Sequence, residues 1–275
     1  QAPGVAAETT GADAVAITSV AVKLRPPMVG GAFAALSCGG GCNVGGSYDI
    51  VNTSVAANGI LIAAGGNITR NPGTRYQTIP GMPIENALIK HDQAMRELAE
   101  SDPDCSKSAM FQNYFGSTID EYRNAPTTKV IQCSTAEDCG TQTLQAYNEG
   151  ARTFYYGHKD NPSLDPQWGV SFNSSSGFPG GALGSANDPI ILVTSGAFNI
   201  NGNITVNGVI YSNSANVNDL GTGTADITGA IITCNDHQNN GGGKLTYSDV
   251  VMGYLNRTTG ALVKVPGSWR DWSQP

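Results

Sequence analysis

The sequence predicts a mainly β protein: a β-solenoid, or β-helix-like stack of strands, interrupted by a helical insertion. Three observations carry this reading. A short phrase recurs, as Ile200-Asn201-Gly202-Asn203-Ile204, Val206-Asn207-Gly208-Val209-Ile210 and Ile227-Thr228-Gly229-Ala230-Ile231. Its form is aliphatic, small polar, Gly, any residue, aliphatic. An aliphatic at every second residue gives a strand with one buried face, and Gly supplies a corner because it tolerates positive φ. Successive phrases start 6 and 21 residues apart, as expected for stacked coils. Composition agrees: of 275 residues only 13% are charged and 35 are Gly, a charge share well below that of ordinary globular domains. Finally, residues 80–124 leave the strand period for a helical one.

Taken in order, residues 1–16 are rich in Ala, Gly and Thr and read as a poorly ordered lead-in. Residues 17–275 read as a single solenoid domain. Ile17 to Leu24 is a strand, ended by Arg25-Pro26-Pro27. Residues 33–69 supply the first coils, with Tyr48-Asp49-Ile50 and Ile60-Leu61-Ile62 as strands. Asn71-Pro72-Gly73 and Pro80-Gly81 are turns. Pro83 suits a first helical turn, and Ile84, Leu88, His91, Met95 and Leu98 then line one helical face, with His91 at the core or its boundary. Ser101-Asp102-Pro103 stops that helix. A second helix is expected from about 106 to 115, and a short turn within 117–124. Strands return at Val130-Ile131 and at 152–156. Residues 157–188 read as one long Gly/Pro/Ser/Asn-rich loop. The clearest coils run from Pro189 to Cys234, Gly241-Gly242-Gly243 reads as a flexible turn, and Lys244 to Leu255 as a last strand or helical turn.

The net charge is -7, which disfavours nucleic acid as a partner, because phosphates need a basic surface. Arg70 and Arg75 lie close together but read as solvated. No stretch of about 20 apolar residues occurs, so nothing reads as a membrane-spanning helix. No signal peptide is recognisable either, and Gln1 reads as the start of a processed or trimmed product.

The cysteines are an even set: Cys38, Cys42, Cys105, Cys133, Cys139 and Cys234. An even set in a chain so rich in small polar residues reads as disulfides of an oxidising compartment, and thus an extracellular or cell-surface location. Several connectivities are open. Short spacings favour Cys38–Cys42 and Cys133–Cys139, which leaves Cys105 with Cys234 and would tie the helical segment to the coils. The rival is zinc, but Cys38 and Cys42 have no matching second pair and no nearby His.

Chemistry is sparse. His158-Lys159-Asp160-Asn161-Pro162, followed by Asp165, offers oxygen ligands of the kind calcium takes, but the spacing of a calcium loop is missing and the run reads as a polar turn. His237 reads as exposed. No Gly-x-Ser-x-Gly elbow or His-Glu-x-x-His helix occurs. Neither glycine triplet has both the Lys and the helix that phosphate binding needs, since Cys42 follows the first, and Lys244 follows the second in a segment that reads as a last strand or a single helical turn. No cofactor is expected. A solenoid can carry a glycan-cleaving enzyme, which needs carboxylates clustered on one wall. Residues 190–234 hold only Asp219 and Asp226 and no Lys or Arg, so the wall reads as a scaffold.

The tail sharpens this. Leu262-Val263-Lys264-Val265-Pro266-Gly267-Ser268-Trp269-Arg270-Asp271-Trp272 resembles the C-terminal signature of PilX-type pilus assembly proteins, the minor pilins of type IV pili. Those proteins end in a Pro-Gly-Ser-Trp-Arg-Asp-aromatic phrase. Pro189 to Val193 with Gly196, followed by the Asn-Gly phrases, is similar to that family's strand and coils. Cys133 to Cys139 resembles its short Cys-to-Cys turn, with a longer spacing here.

The resemblance implies a structural minor pilin, not an enzyme, that helps initiate pilus assembly and displays an adhesin at the tip through non-covalent contacts. Its implied partners are other minor pilins and that adhesin. Contact with the membrane is implied only through an apolar N-terminal helix that these residues lack. A pilin-like sheet at the base stays open. Trp269 and Trp272, three residues apart, are placed to cover the end of the last coil. The alternatives are a secreted glycan-active β-helix enzyme and a competence pilin that captures DNA.

Overall fold

The computed structural model describes residues 17–19, 22–25, 27–29, 32–107, 109–133, 138–157, 170–172, 181–200, 203–214, 218–219, 224–258, 261–264 and 270–272. They form a mixed α/β structure dominated by a large parallel sheet. Packing divides the chain into two compact units, one of residues 26–261 and one of residues 1–25 with 262–275.

The smaller unit holds β1 (Ile17–Ser19) and β2 (Val22–Arg25). The larger opens with β3 (Leu36–Cys38), β4 (Cys42–Val44) and β5 (Tyr48–Val51), then repeats the circuit as β6 (Ile62–Ala64), β7 (Ile68–Arg70) and β8 (Arg75–Gln77). A 3-10 turn over Ile84–Ala87 leads into β9 (Leu88–Ile89). Three helices follow: α1 (Gln93–Ser101), α2 (Ala109–Phe115) and α3 (Ile119–Arg123). Next come β10 (Thr128–Ile131), α4 (Asp138–Asn148), β11 (Thr153–Tyr156) and β12 (Val170–Phe172). The chain then runs through β13 (Gly181–Leu183), β14 (Ile190–Thr194), β15 (Phe198–Ile200), β16 (Ile204–Ser212) and β17 (Asn218–Asp219). It continues with β18 (Thr224–Thr233), β19 (His237–Asn239), β20 (Gly242–Thr246) and α5 (Asp249–Thr258). The smaller unit closes with β21 (Ala261–Lys264) and β22 (Arg270–Trp272).

Among the described residues twelve strands form the large sheet, and they pair in parallel. It has two halves. In the first, β13, β16, β18, β20, β5 and β8 lie side by side; in the second, β10, β11, β14, β16, β18, β3, β6 and β9 do. β16 and β18 run through both, in register from Ile204↔Ala225 to Ser212↔Thr233. Gly208 and Gly229 sit opposite each other at the change-over, with φ of 154° and 141°. A smaller parallel sheet, β17–β19–β4–β7, and the parallel pair β12–β15 complete the circuit.

The second and third copies of the repeated phrase are therefore true equivalents, Val206 opposite Ile227 and Ile210 opposite Ile231. The first is not, because it straddles the end of β15 and the start of β16.

The order of strands is not the order of sequence. β3, next to β18, starts in the middle, and the chain works outward to β9. After α1–α3 it resumes at the far edge with β10 and works back until β18 meets β3 and β20 meets β5.

Two apolar clusters result. One joins Ile204, Val206 and Leu245 of the first half with Leu192, Ile210 and Ile231 of the second, and with Val44, Phe172 and Ile200 of the other strands. The other joins Ile191, Val193, Val209, Tyr211 and Ile232 to Met95, Phe111 and Phe115 of the helices and to Val251 and Leu255 of α5. Phe111 and Phe115 meet the Tyr211 ring edge-on at 4.9 and 5.7 Å. Strands buried on both faces lose their polar alternation, so the expectation of one buried face fails for the second half.

Other expectations need correction. α1 starts at Gln93, ten residues after Pro83, because Asp92 caps it by accepting from Met95 N at 2.9 Å. The helical spacing before it is spent on the 3-10 turn and β9. His91 is exposed with φ 53°, outside the helix and the core. α4 went unforeseen between the two returning strands. Residues 157–188 contain β12 and β13 and so are not one loop, and Gly242 and Gly243 belong to β20, not to a flexible turn. His158, Asp160 and Asp165 lie outside the described residues, as do residues 1–16.

Candidate functional site

The six cysteines form three disulfides: Cys38–Cys42, Cys133–Cys139 and Cys105–Cys234. The last joins residues 129 apart, anchoring the turn between α1 and α2 to the end of β18. Asp102 organises that turn: its carboxylate, almost fully buried, accepts from Lys107 N at 2.8 Å and Ala109 N at 3.0 Å. Asn213 and Asn235 add bonds to the carbonyls of Cys105 and Pro103, at 2.6 and 3.1 Å. Three disulfides mark a chain folded in an oxidising, exported compartment.

Of the tail motif, Pro266, Gly267, Ser268 and Trp269 lie outside the described residues. Arg270, Asp271 and Trp272 form β22, which pairs antiparallel with β1: Ile17↔Trp272, Thr18↔Asp271 and Ser19↔Arg270. β2 pairs with β21. Among the described residues the tail backbone thus pairs with β1.

Helices cover the second half of the large sheet, whereas polar side chains stand out from the first half and the smaller sheet. On the smaller sheet Thr69, Asn43 and Gln238 form a row in register. They border a shallow cavity of about 230 Å³, also lined by Asn67, Asp236 and His237. Asp236 Oδ1 accepts from Gly41 N at 2.6 Å at its rim. His237 is buried, contrary to expectation: its strand turns the ring inward, and burial lowers its pKa to about 4. Among the described residues no group of three His, Cys, Asp or Glu converges to hold a metal ion.

The first half carries a second row. Thr205, Asp226, Lys244, Asp49 and Arg75 are successive partners across β16, β18, β20, β5 and β8. Arg75 Nε donates to Asp49 Oδ1 at 2.8 Å. Arg70, also expected to be solvated, pairs with Glu85 at 2.8 Å. Beneath the row, burial and the Asp226 carboxylate together raise the Tyr48 phenol pKa.

This row was missed from sequence, because its members come from both ends of the larger unit. A local signal existed: Ala225-Asp226-Ile227-Thr228, Gly243-Lys244-Leu245-Thr246 and Tyr48-Asp49-Ile50-Val51 share one pattern of small or aromatic, charged, aliphatic, then β-branched residue.

Two carboxylates two strands apart are roughly 10 Å from each other, near the upper separation of an inverting glycosidase. A general acid, however, needs a carboxyl kept protonated by an apolar pocket. Asp226 is exposed, and Asp49 is bound to Arg75.

No family model matches the sequence, and no curated protein does. Among solved structures the chain is similar to the crystal structure of an ice binding protein from an Antarctic Biological Consortium, with a TM-score of 0.39 and 14% identity. That match covers 83% of this chain and 95% of the other.

Proposed function

We propose that this chain is a minor pilin of the type IV pilus, whose parallel sheets are the walls of a β-solenoid that displays partners without chemical turnover. The solenoid reading is supported by three strips of parallel strands visited in turn and sharing one apolar cluster. The observation that carries the pilin reading is the pairing of β1 with β22. It brings the tail residues that resemble the pilin signature into one small sheet with the strand nearest the N-terminus, where a pilin's filament helix would join its globular part. The exposed faces fit a display role: they bear short polar side chains and paired or alternating charges, with no gathered acid–base set among the described residues. The acidic net charge of -7 weighs against DNA as the cargo.

The test is the composition of pili sheared from the source bacterium and purified. Peptides of this chain are expected in the filament fraction. Their restriction to the medium or the periplasm, with normal pili, would overturn the proposal.

A further inference from the structure

We propose that the outer face of the first half of the large sheet docks face to face on the same face of a second copy of this chain, through its row of alternating charges. The row reads Asp226, Lys244, Asp49, Arg75 across four adjacent strands, each directly opposite the next. The signs are therefore minus, plus, minus, plus, spaced by about 4.8 Å per strand.

Within the chain this row is only half satisfied. Arg75 pairs with Asp49, yet its side chain stays 80% exposed. Lys244 and Asp226 are both exposed and make no ion pair or hydrogen bond with the described residues. Two unpaired charges of opposite sign thus stand side by side next to the Asp49–Arg75 pair, on a strand face that no helix covers among the described residues.

An alternating row of four is self-complementary under one two-fold axis. That axis lies in the interface, parallel to the strands, between β20 and β5. It sets Asp226 against the second copy's Arg75 and Lys244 against its Asp49, and the symmetry repeats both contacts. All four contacts are opposite in sign. An in-plane axis running across the strands instead would oppose each charge to itself, so the row selects one orientation as well as one partner. The neighbouring row is short-chained at its centre, where Thr228, Thr246 and Val51 are successive partners, and its bulkier polar ends, Asn207 and Gln77, carry no charge to oppose approach. The face is narrow, so the contact is weak, and screening by salt weakens it further. This inference stands apart from the pilin reading and concerns the isolated chain.

The experiment is sedimentation velocity of the whole chain over a concentration series at low and high salt. The wild type is expected to dimerise at low salt and to dissociate about tenfold more readily at high salt. Lys244→Glu places two like-charge contacts in the interface, as does Asp49→Lys, and each variant alone is expected to stay monomeric. Mixed together, they are expected to form a one-to-one heterodimer, because every contact is again opposite in sign. Circular dichroism checks that both variants are folded. If either is not, Lys244→Gln with Asp49→Asn is used, and loss of the salt-sensitive dimer is expected. A wild type that is monomeric throughout would overturn the inference. So would a dimer that survives both single reversals, or folded variants that fail to complement each other.

Discussion

A Cβ on Gly229 would lie 1.8 Å from the carbonyl oxygen of Gly208, and one on Gly208 would lie 1.8 Å from that of Ile190. Both residues also have positive φ, which side chains rarely adopt. The recurring Gly is thus required twice over, by its conformation and by the closeness of the next strand. Replacing Gly229 with Ala is expected to destabilise the fold by about 3 kcal/mol, read as a shift in the urea midpoint. A change within a few tenths would show that the adjacent strands can spread at no cost.

His237 poses the opposite problem, a polar group that sequence alone put outside. Its position one residue past Asp236 looked solvated, but strand alternation turned it inward, where Nδ1 finds no hydrogen-bond partner. Burial favours the neutral ring, so its pKa falls from 6.5 to about 4. Below pH 6.5 the unfolded chain takes up a proton that the native chain refuses, so stability falls as pH drops from 6.5 towards 4. The loss is about 3 kcal/mol. His237→Phe is expected to flatten that part of the pH profile relative to wild type in paired urea titrations. An unchanged slope would assign it to the carboxylates instead.

At the scale of elements, the strands that repeat within a short span were legible and the helices only in part. β16 and β18 announce themselves because their aliphatic and glycine positions match residue for residue. α1 was misplaced because Ile84 and Leu88 keep helical spacing while belonging to a 3-10 turn and a strand. α4 was hidden because its apolar positions are few and Gly140 lies within it; packing on β10 and β12 makes it a helix. The Cys105–Cys234 disulfide holds the insertion against the second half of the sheet. It closes a span of 129 residues, so its removal in Cys105→Ala/Cys234→Ala is expected to cost about 4 kcal/mol. Differential unfolding of wild type and variant checks this. A cost near zero would mean that the aromatic contacts of Phe111 and Phe115 with Tyr211 hold the insertion without the bond.

At the scale of the whole molecule, the order of strands lay beyond reading. Neighbouring repeats reveal their register through similarity, but β3 and β18 come from opposite ends of the larger unit and share no phrase. Their pairing follows from closing a sheet whose inner strands would otherwise expose unpaired backbone. The charge row on the first half exists only because of that closure, which brings Asp49 and Arg75 beside Asp226 and Lys244. The same holds for the tail, whose resemblance to pilins was legible while its pairing with β1 was not. That pairing joins the two ends of the chain in one small sheet, and the disulfides belong to an exported protein. Both support the proposal that the chain is a minor pilin.

Quantitative peptide analysis of sheared, purified pili, with and without the gene, tests that claim most directly. A minor pilin is expected at a small, fixed ratio to the major subunit, with fewer filaments when the gene is deleted. Normal filament numbers and no trace of this chain in them would contradict it.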